Sequence, residues 1–552
     1  MPAVFGSRAS SSRQASSRRR PSQQARSDTR FYTLPPGILP INQIRRSRWR
    51  GARPSFAWRQ HGKQQTLIGF NSQIQHVVVI YMENRTPENL FGGFWNTTNS
   101  ATGNTFGTDL NVRNPQVFPT LSPNLLEAGF DPDHSHHPGF TTDVTGTWNL
   151  PTGCPGNTKC TNAAYSSLSY VPTPPPAIPP GPAEVANYIT LIQNWAYANT
   201  VLQSNEGPSF PSHQEAISGQ SGGLLDSSIE PYGQAENPQP TPPPNYSIPE
   251  PDDAAIGGGS CATYPNTDSQ TVNMNLQYPG QELPANEQFN CNQYPTIFDI
   301  LANALARPAY DVWQYIAIND SIIWSGPMAV KSLYTAYLDG VQSINGHTLN
   351  TEPFAADPNA YNFVANLTPN AVPSPARPFA SLTYITPCVA ESDHPNFSGH
   401  SDGPQWLAFV LNAIGESPYW QNTAVVVTWD DWGGFYDNYQ ANPWPFHPKF
   451  NGNNNNPSDP NEWGFRVPLM VISPWVTKRG YISQTQRSQG AILNLVEDVF
   501  SLPQWSLGGD DFANQLDDLG DMFNLNNAPL PWVPLPTTYT VPPPNSRGCP
   551  YS

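Results

Sequence analysis

Two apolar runs, each closed by a polar pair, constrain this chain more than any other feature. One is Ala424-Val-Val-Val-Thr-Trp429, which leads into Asp430-Asp431 and then Gly433-Gly434. Five of its six residues are apolar, the pattern of a strand buried on both faces. The other is His76-Val-Val-Val-Ile-Tyr81, followed by Met82 and then Glu83-Asn84. In an open parallel sheet, ligands bind beyond the carboxyl ends of the strands. Four oxygen donors converge on one spot if these two strands are neighbours. Adjacent carboxylates at a buried strand end are costly unless a cation lies between them. Taken alone, Asp430-Asp431 reads equally as a solvated acidic turn, and Glu83 as a helix-start carboxylate. Neither sulfur nor imidazole is in this set. It points to Ca²⁺, Mg²⁺ or Mn²⁺, with Zn²⁺ also compatible.

The remaining periodicity predicts an α/β protein with a mainly parallel central sheet flanked by helices. Helical spacing covers Glu184 to Gln203, Pro295 to Ala306, Pro404 to Glu416 and Gly490 to Phe500. Strand patterns cover Phe379 to Ile385 and Val467 to Ser473. Between them lie long Pro-, Gly- and Asn-rich stretches, in keeping with 63 Pro and 40 Gly. These read as loop insertions over the sheet. The organisation expected is a basic, disordered tail over 1–64, a catalytic domain over 65–527 and a Pro-rich segment over 528–552.

Charge divides along the same lines. Residues 1–60 hold thirteen of the 26 basic residues and only one acidic residue, Asp28. The acidic body should repel nucleic acid and anionic membranes. No apolar run is long enough to span a bilayer, and no apolar segment of a standard secretory signal follows the basic start. Cys154, Cys160, Cys261, Cys291, Cys388 and Cys549 lack zinc-finger spacing. Their even number fits three disulfides and an oxidising compartment, hence a secreted or periplasmic protein; reduced structural thiols fit as well.

Two further segments hold candidate reactive groups. In Gly207-Pro-Ser-Phe-Pro-Ser-His213, Ser209 is held between prolines. A metal-bound hydroxyl loses its proton readily and becomes a nucleophile, although a plain Pro/Ser turn has the same composition. His134, His136 and His137 cluster after Asp133, and His394 follows Ser392-Asp393. Such groups suit stabilisation of a phosphoryl transition state and protonation of a leaving group. They equally suit a second metal site or a solvated cluster.

Taken in order, these segments resemble the bacterial phosphoesterase family of phospholipase C and acid phosphatase, itself related to alkaline phosphatases. The resemblance rests on the His76–Thr86 strand, Asp133-His-Ser-His136, the Ser209 segment, Ser392-Asp-His-Pro395, Thr428–Asp437 and Gly464–Trp475. It implies an alkaline-phosphatase-like fold and one divalent metal ion held by Glu83, Asn84, Ser209, Asp430 and Asp431. It also implies Ser209 as the nucleophile that forms a phosphoseryl intermediate, with His134 or His136 and His394 lining the phosphate site. The substrate implied is a small phosphate ester or a phospholipid head group. Three positions depart from many phospholipases C: Ser209 replaces Thr, His213 replaces Arg and Asn438 replaces His. They favour an acid-phosphatase-like phosphomonoesterase, with phospholipase C or another phosphodiesterase as the alternative. No sulfatase-type Ser-x-Pro-x-Arg or Cys-x-Pro-x-Arg motif occurs. A secreted Ca²⁺-binding structural protein is the non-enzymatic alternative, and it has no need of the Ser209 segment or the histidines.

Overall fold

The computed structural model describes residues 73–95, 184–205, 209–221, 294–304, 313–317, 379–387, 391–395, 403–437, 463–504 and 517–539, with isolated residues and short pieces between them. All belong to one unit, Gln64–Ser552. Seven strands form the body of its sheet: β1 His76–Met82, β2 Ala196–Leu202, β3 Trp313–Ala317, β4 Leu382–Thr386, β5 Thr423–Trp429, β6 Leu469–Ile472 and β7 Tyr481–Ser488. Their order is β7-β2-β6-β5-β1-β4-β3, and His347–Asn350 and Ser343–Ile344 extend the β3 edge to nine strands.

β1 runs parallel to both β4 and β5, β3 parallel to β4, and β2 parallel to β7. Only β6 is reversed among these seven, antiparallel to its neighbours β2 and β5. Six carboxyl ends therefore meet along one edge. β1 and β5 lie side by side at the centre, with Met82 opposite Trp429. Both are buried on both faces, so their apolar runs are continuous rather than alternating. The register brings Glu83 level with Asp430.

Among the described residues six helices accompany the sheet: α1 Pro87–Trp95, α2 Ala186–Asn194, α3 Ser209–Ser218, α4 Ile297–Ala304, α5 Gly403–Glu416 and α6 Gly490–Val499. α2 packs on α5, and α3 packs on α4 and α6. Burying their apolar faces against the valine-rich strands supplies the main stabilisation. The C-terminal residues run along α5: Leu535 N donates to Asn412 Oδ1 at 2.9 Å, and Thr537 Oγ1 to Gln405 O at 2.9 Å. No helix among the described residues is long and apolar enough to cross a membrane.

The helix expected over Glu184 to Gln203 is a correction. It stops at Asn194, and Ala196–Leu202 is strand β2. Apolar spacing over this stretch suits both elements. The middle of the sheet decides, because β2 is fully buried between β7 and β6, where a strand satisfies its backbone groups by pairing.

Candidate active site

The polar residues at the ends of β1 and β5 are locked to one another by backbone bonds. Asp430 N donates to Met82 O at 2.9 Å, and Arg85 N to Asp431 O at 3.1 Å. Asn84 adopts a left-handed conformation (φ 59°), which asparagine tolerates better than most residues. That bend turns its N–H onto Asp430 Oδ1 at 2.9 Å. On the other strand, Gly433 (φ 62°) turns its N–H back onto Asp431 Oδ1 at 2.7 Å. A side chain at Gly433 would collide with the Asn84 carbonyl, so glycine is needed for both reasons. Each aspartate thus has one oxygen fixed by a backbone N–H and its other oxygen available to the site.

Ser209 is the first residue of α3, not part of a plain turn. Pro211 lies in the first turn, where its missing N–H costs nothing. The Ser209 hydroxyl lies 3.1 Å from Glu83 Oε2, 3.3 Å from Asp431 Oδ2 and 3.4 Å from Asn84 Oδ1. Glu83, Asn84, Asp430 and Asp431 are all 0 % exposed. The five residues named from the sequence are brought together, from three separate segments.

Two of the named histidines join them. His134 and His394 each hold Nδ1 against a backbone carbonyl, Pro132 O at 2.8 Å and Pro395 O at 2.6 Å. Nδ1 therefore carries the hydrogen, and a neutral ring presents a bare Nε2. Asn84 Nδ2 donates to His134 Nε2 at 3.0 Å, which leaves Oδ1 facing Ser209. The reversed amide would bring its nitrogen to Asp430 Oδ1 at 3.2 Å. It would also bring that nitrogen to Glu83 Oε2 at 3.3 Å and set its oxygen against two bare imidazole nitrogens; the first orientation sets the oxygen among the carboxylates instead, where a cation would hold it. Burial, reinforced by His134, pushes the His394 imidazole down to about 3. His136 and Asn438 lie outside the described residues, as do all six cysteines.

His213 was not among the site residues expected from sequence. It lies four residues after Ser209, on the same face of α3. Its Nε2 is 2.8 Å from Glu83 Oε1 and 3.8 Å from Asp430 Oδ2. Burial lowers its imidazole to about 4, against the opposing charge of Asp430. The i,i+4 spacing from Ser209 was the available signal.

These residues fit a divalent cation. Asp430 Oδ2 is buried and accepts no hydrogen bond. The Glu83 carboxyl is pushed well above its usual range, first by burial and then by the charges of Asp430 and Asp431. A cation between the carboxylates removes that penalty. Glu83, His213 and Asp430 offer donor atoms that all lie within 4.8 Å of one another.

A model of the Phosphoesterase family matches residues 74–503. The chain belongs to that family. Among relatives of this phosphoesterase chain, a non-hemolytic phospholipase C of Burkholderia pseudomallei is 27 % identical over 189 residues, covering 31 % of this chain and 26 % of that one. Non-specific phospholipase C6 of Arabidopsis thaliana is 32 % identical over 117 residues, covering 19 % and 22 %. The chain thus matches only about a quarter of these relatives' lengths. A solved protein of the alkaline phosphatase superfamily from Vibrio parahaemolyticus is 9 % identical, with a TM-score of 0.30 over 80 % of this chain and 70 % of that one. At that level the likeness carries no argument.

Proposed function

We propose that this protein is a metal-dependent phosphoric ester hydrolase acting through a phosphoseryl intermediate. One observation carries the reading: a buried serine hydroxyl within 3.1–3.4 Å of two carboxylates and an amide. A structural cation site has no need of a hydroxyl there. Glu83, Asn84, Asp430, Asp431 and Ser209 would hold the ion. When bound, the ion lowers the pKa of the hydroxyl and offsets charge on the phosphoryl oxygens.

The chain's own residues supply the remaining steps. Ser209 Oγ attacks phosphorus in line, the ester oxygen leaves, and phosphate is transiently esterified to Ser209. The N-terminus of α3 starts at Ser209 and presents the positive end of the helix to the phosphoryl oxygens. His134 and His394 stand on the Asn84 side of the hydroxyl, with ring centroids 6.2 Å apart. A bare Nε2 first takes up the proton that Ser209 gives up and then passes it to the leaving alcohol, and water hydrolyses the phosphoserine.

Two substrate classes suit such a centre. The departures at Ser209, His213 and Asn438 favour a phosphomonoester. The names of the relatives, phospholipases C, support a phosphodiester with a lipid head group. An export route to a secreted or periplasmic location is part of the same proposal. A model phosphomonoester, a phosphodiester and phosphatidylcholine, assayed side by side with and without chelator, separate the possibilities. Chelator-sensitive cleavage of the monoester alone supports a phosphatase, and release of diacylglycerol a phospholipase C. Metal uptake without cleavage of any of the three would leave the structural-cation reading standing.

A further inference from the structure

On the reading of this centre as a metal site, we infer that His213 is a nitrogen ligand to the ion, alongside Glu83 and Asp430. Its Nε2 faces both carboxylates, 2.8 Å from Glu83 Oε1 and 3.8 Å from Asp430 Oδ2. The second oxygen is the buried one that accepts no hydrogen bond. An acceptor left bare beside an imidazole nitrogen is the arrangement expected where a cation sits between them. The three donor atoms come from three elements, the ends of β1 and β5 and the first turns of α3. They lie within 4.8 Å of one another, a span one ion bridges. Because His213 shares a helix face with Ser209, α3 delivers nucleophile and nitrogen ligand together.

The donor set is then mixed nitrogen and oxygen rather than oxygen alone. Such a set favours Zn²⁺, Mn²⁺ or Co²⁺ over Ca²⁺. The histidine also makes a position that reads as a lost arginine part of the metal chemistry.

Metal affinity by itself does not test this. A histidine that merely orients Glu83 also supports binding, and losing such a partner costs about 10–100-fold. Pulsed EPR of the metal-free full chain loaded with one equivalent of Cu²⁺ does test it, because a coordinated imidazole modulates the signal through its remote nitrogen. The modulation is expected in the wild type, lost in His213→Gln and retained in a triple variant, His134→Asn/His136→Asn/His394→Asn. A bound ion without imidazole modulation in the wild type overturns the inference. So does modulation that survives in folded His213→Gln or disappears in the triple variant. If His213→Gln does not fold, wild type and triple variant still decide. Failure of the wild type to bind Cu²⁺, or equal uptake by Asp431→Asn, instead sinks the reading of the centre as this metal site.

Discussion

Asp430 and Asp431 are neighbours in sequence, yet their fixed oxygens are held by two different segments. Asn84 N holds Asp430 Oδ1, and Gly433 N holds Asp431 Oδ1. The remaining oxygens differ: Asp431 Oδ2 meets the Ser209 hydroxyl, whereas Asp430 Oδ2 has no hydrogen-bond partner. Asp431→Asn keeps the shape but removes a negative donor. Its affinity for the activating ion should fall by more than the roughly 10–100-fold that loss of a merely orienting partner costs, measured by equilibrium dialysis; unchanged metal content would count against a ligand role. Ser209→Ala should lower turnover by about 10³-fold or more. The midpoint of thermal unfolding should stay close to wild type, because only one hydroxyl is removed. Near-normal activity in the purified variant would exclude Ser209 as nucleophile.

At the scale of elements, the strand ends and the turns after them set the geometry. Gly433→Ala combines a left-handed backbone with a side chain directed at the Asn84 carbonyl. It should destabilise the fold by about 1–3 kcal/mol and weaken metal binding, since Asn84 must shift. Urea unfolding and metal titration of one preparation check both effects. Beside this turn, Arg466 at the entry to β6 pairs with Asp437, both buried, and its Nη1 donates to Asn199 O at 3.2 Å. Asp437→Ala leaves a buried guanidinium without its carboxylate and should cost about 3–5 kcal/mol, read from the urea midpoint. A change below 1 kcal/mol would show that Glu88, 3.9 Å from Arg466 Nη2, or solvent takes over the charge. The central elements were legible because doubly buried strands are continuous apolar runs. β2 was not, since seven residues with apolar neighbours suit either period. β3 and β7 escaped notice as well. β7 is half exposed, with polar residues such as Gln484, Thr485 and Gln486, so its pairing with β2 outweighs its pattern.

For the molecule as a whole, the buried carboxyl of Asp393 links stability to pH. Burial raises it from 3.8 to about 6, against Arg85 and the hydrogen bonds from Tyr188 and Trp429. The folded state therefore holds this proton more tightly than the unfolded chain. That contribution is fully present below about pH 4 and is lost as pH rises through about 6. It amounts to at most about 3 kcal/mol. Thermal midpoints of wild type and Asp393→Asn, compared from pH 3.5 to 7, should show the wild type losing this margin and the variant not; parallel curves would remove Asp393 from the account. The sequence alone determined the family, the class of sheet and five of the residues that meet at the centre. Apolar runs and the polar pairs that close them are local properties of the chain, and motif order is retained in one dimension. Tertiary structure alone decided that Met82 lies opposite Trp429, that α3 presents His213 beside Glu83, and that Asp430 keeps an unpartnered oxygen. These are relations between segments more than a hundred residues apart, and only strand register and helix orientation bring them within bonding distance.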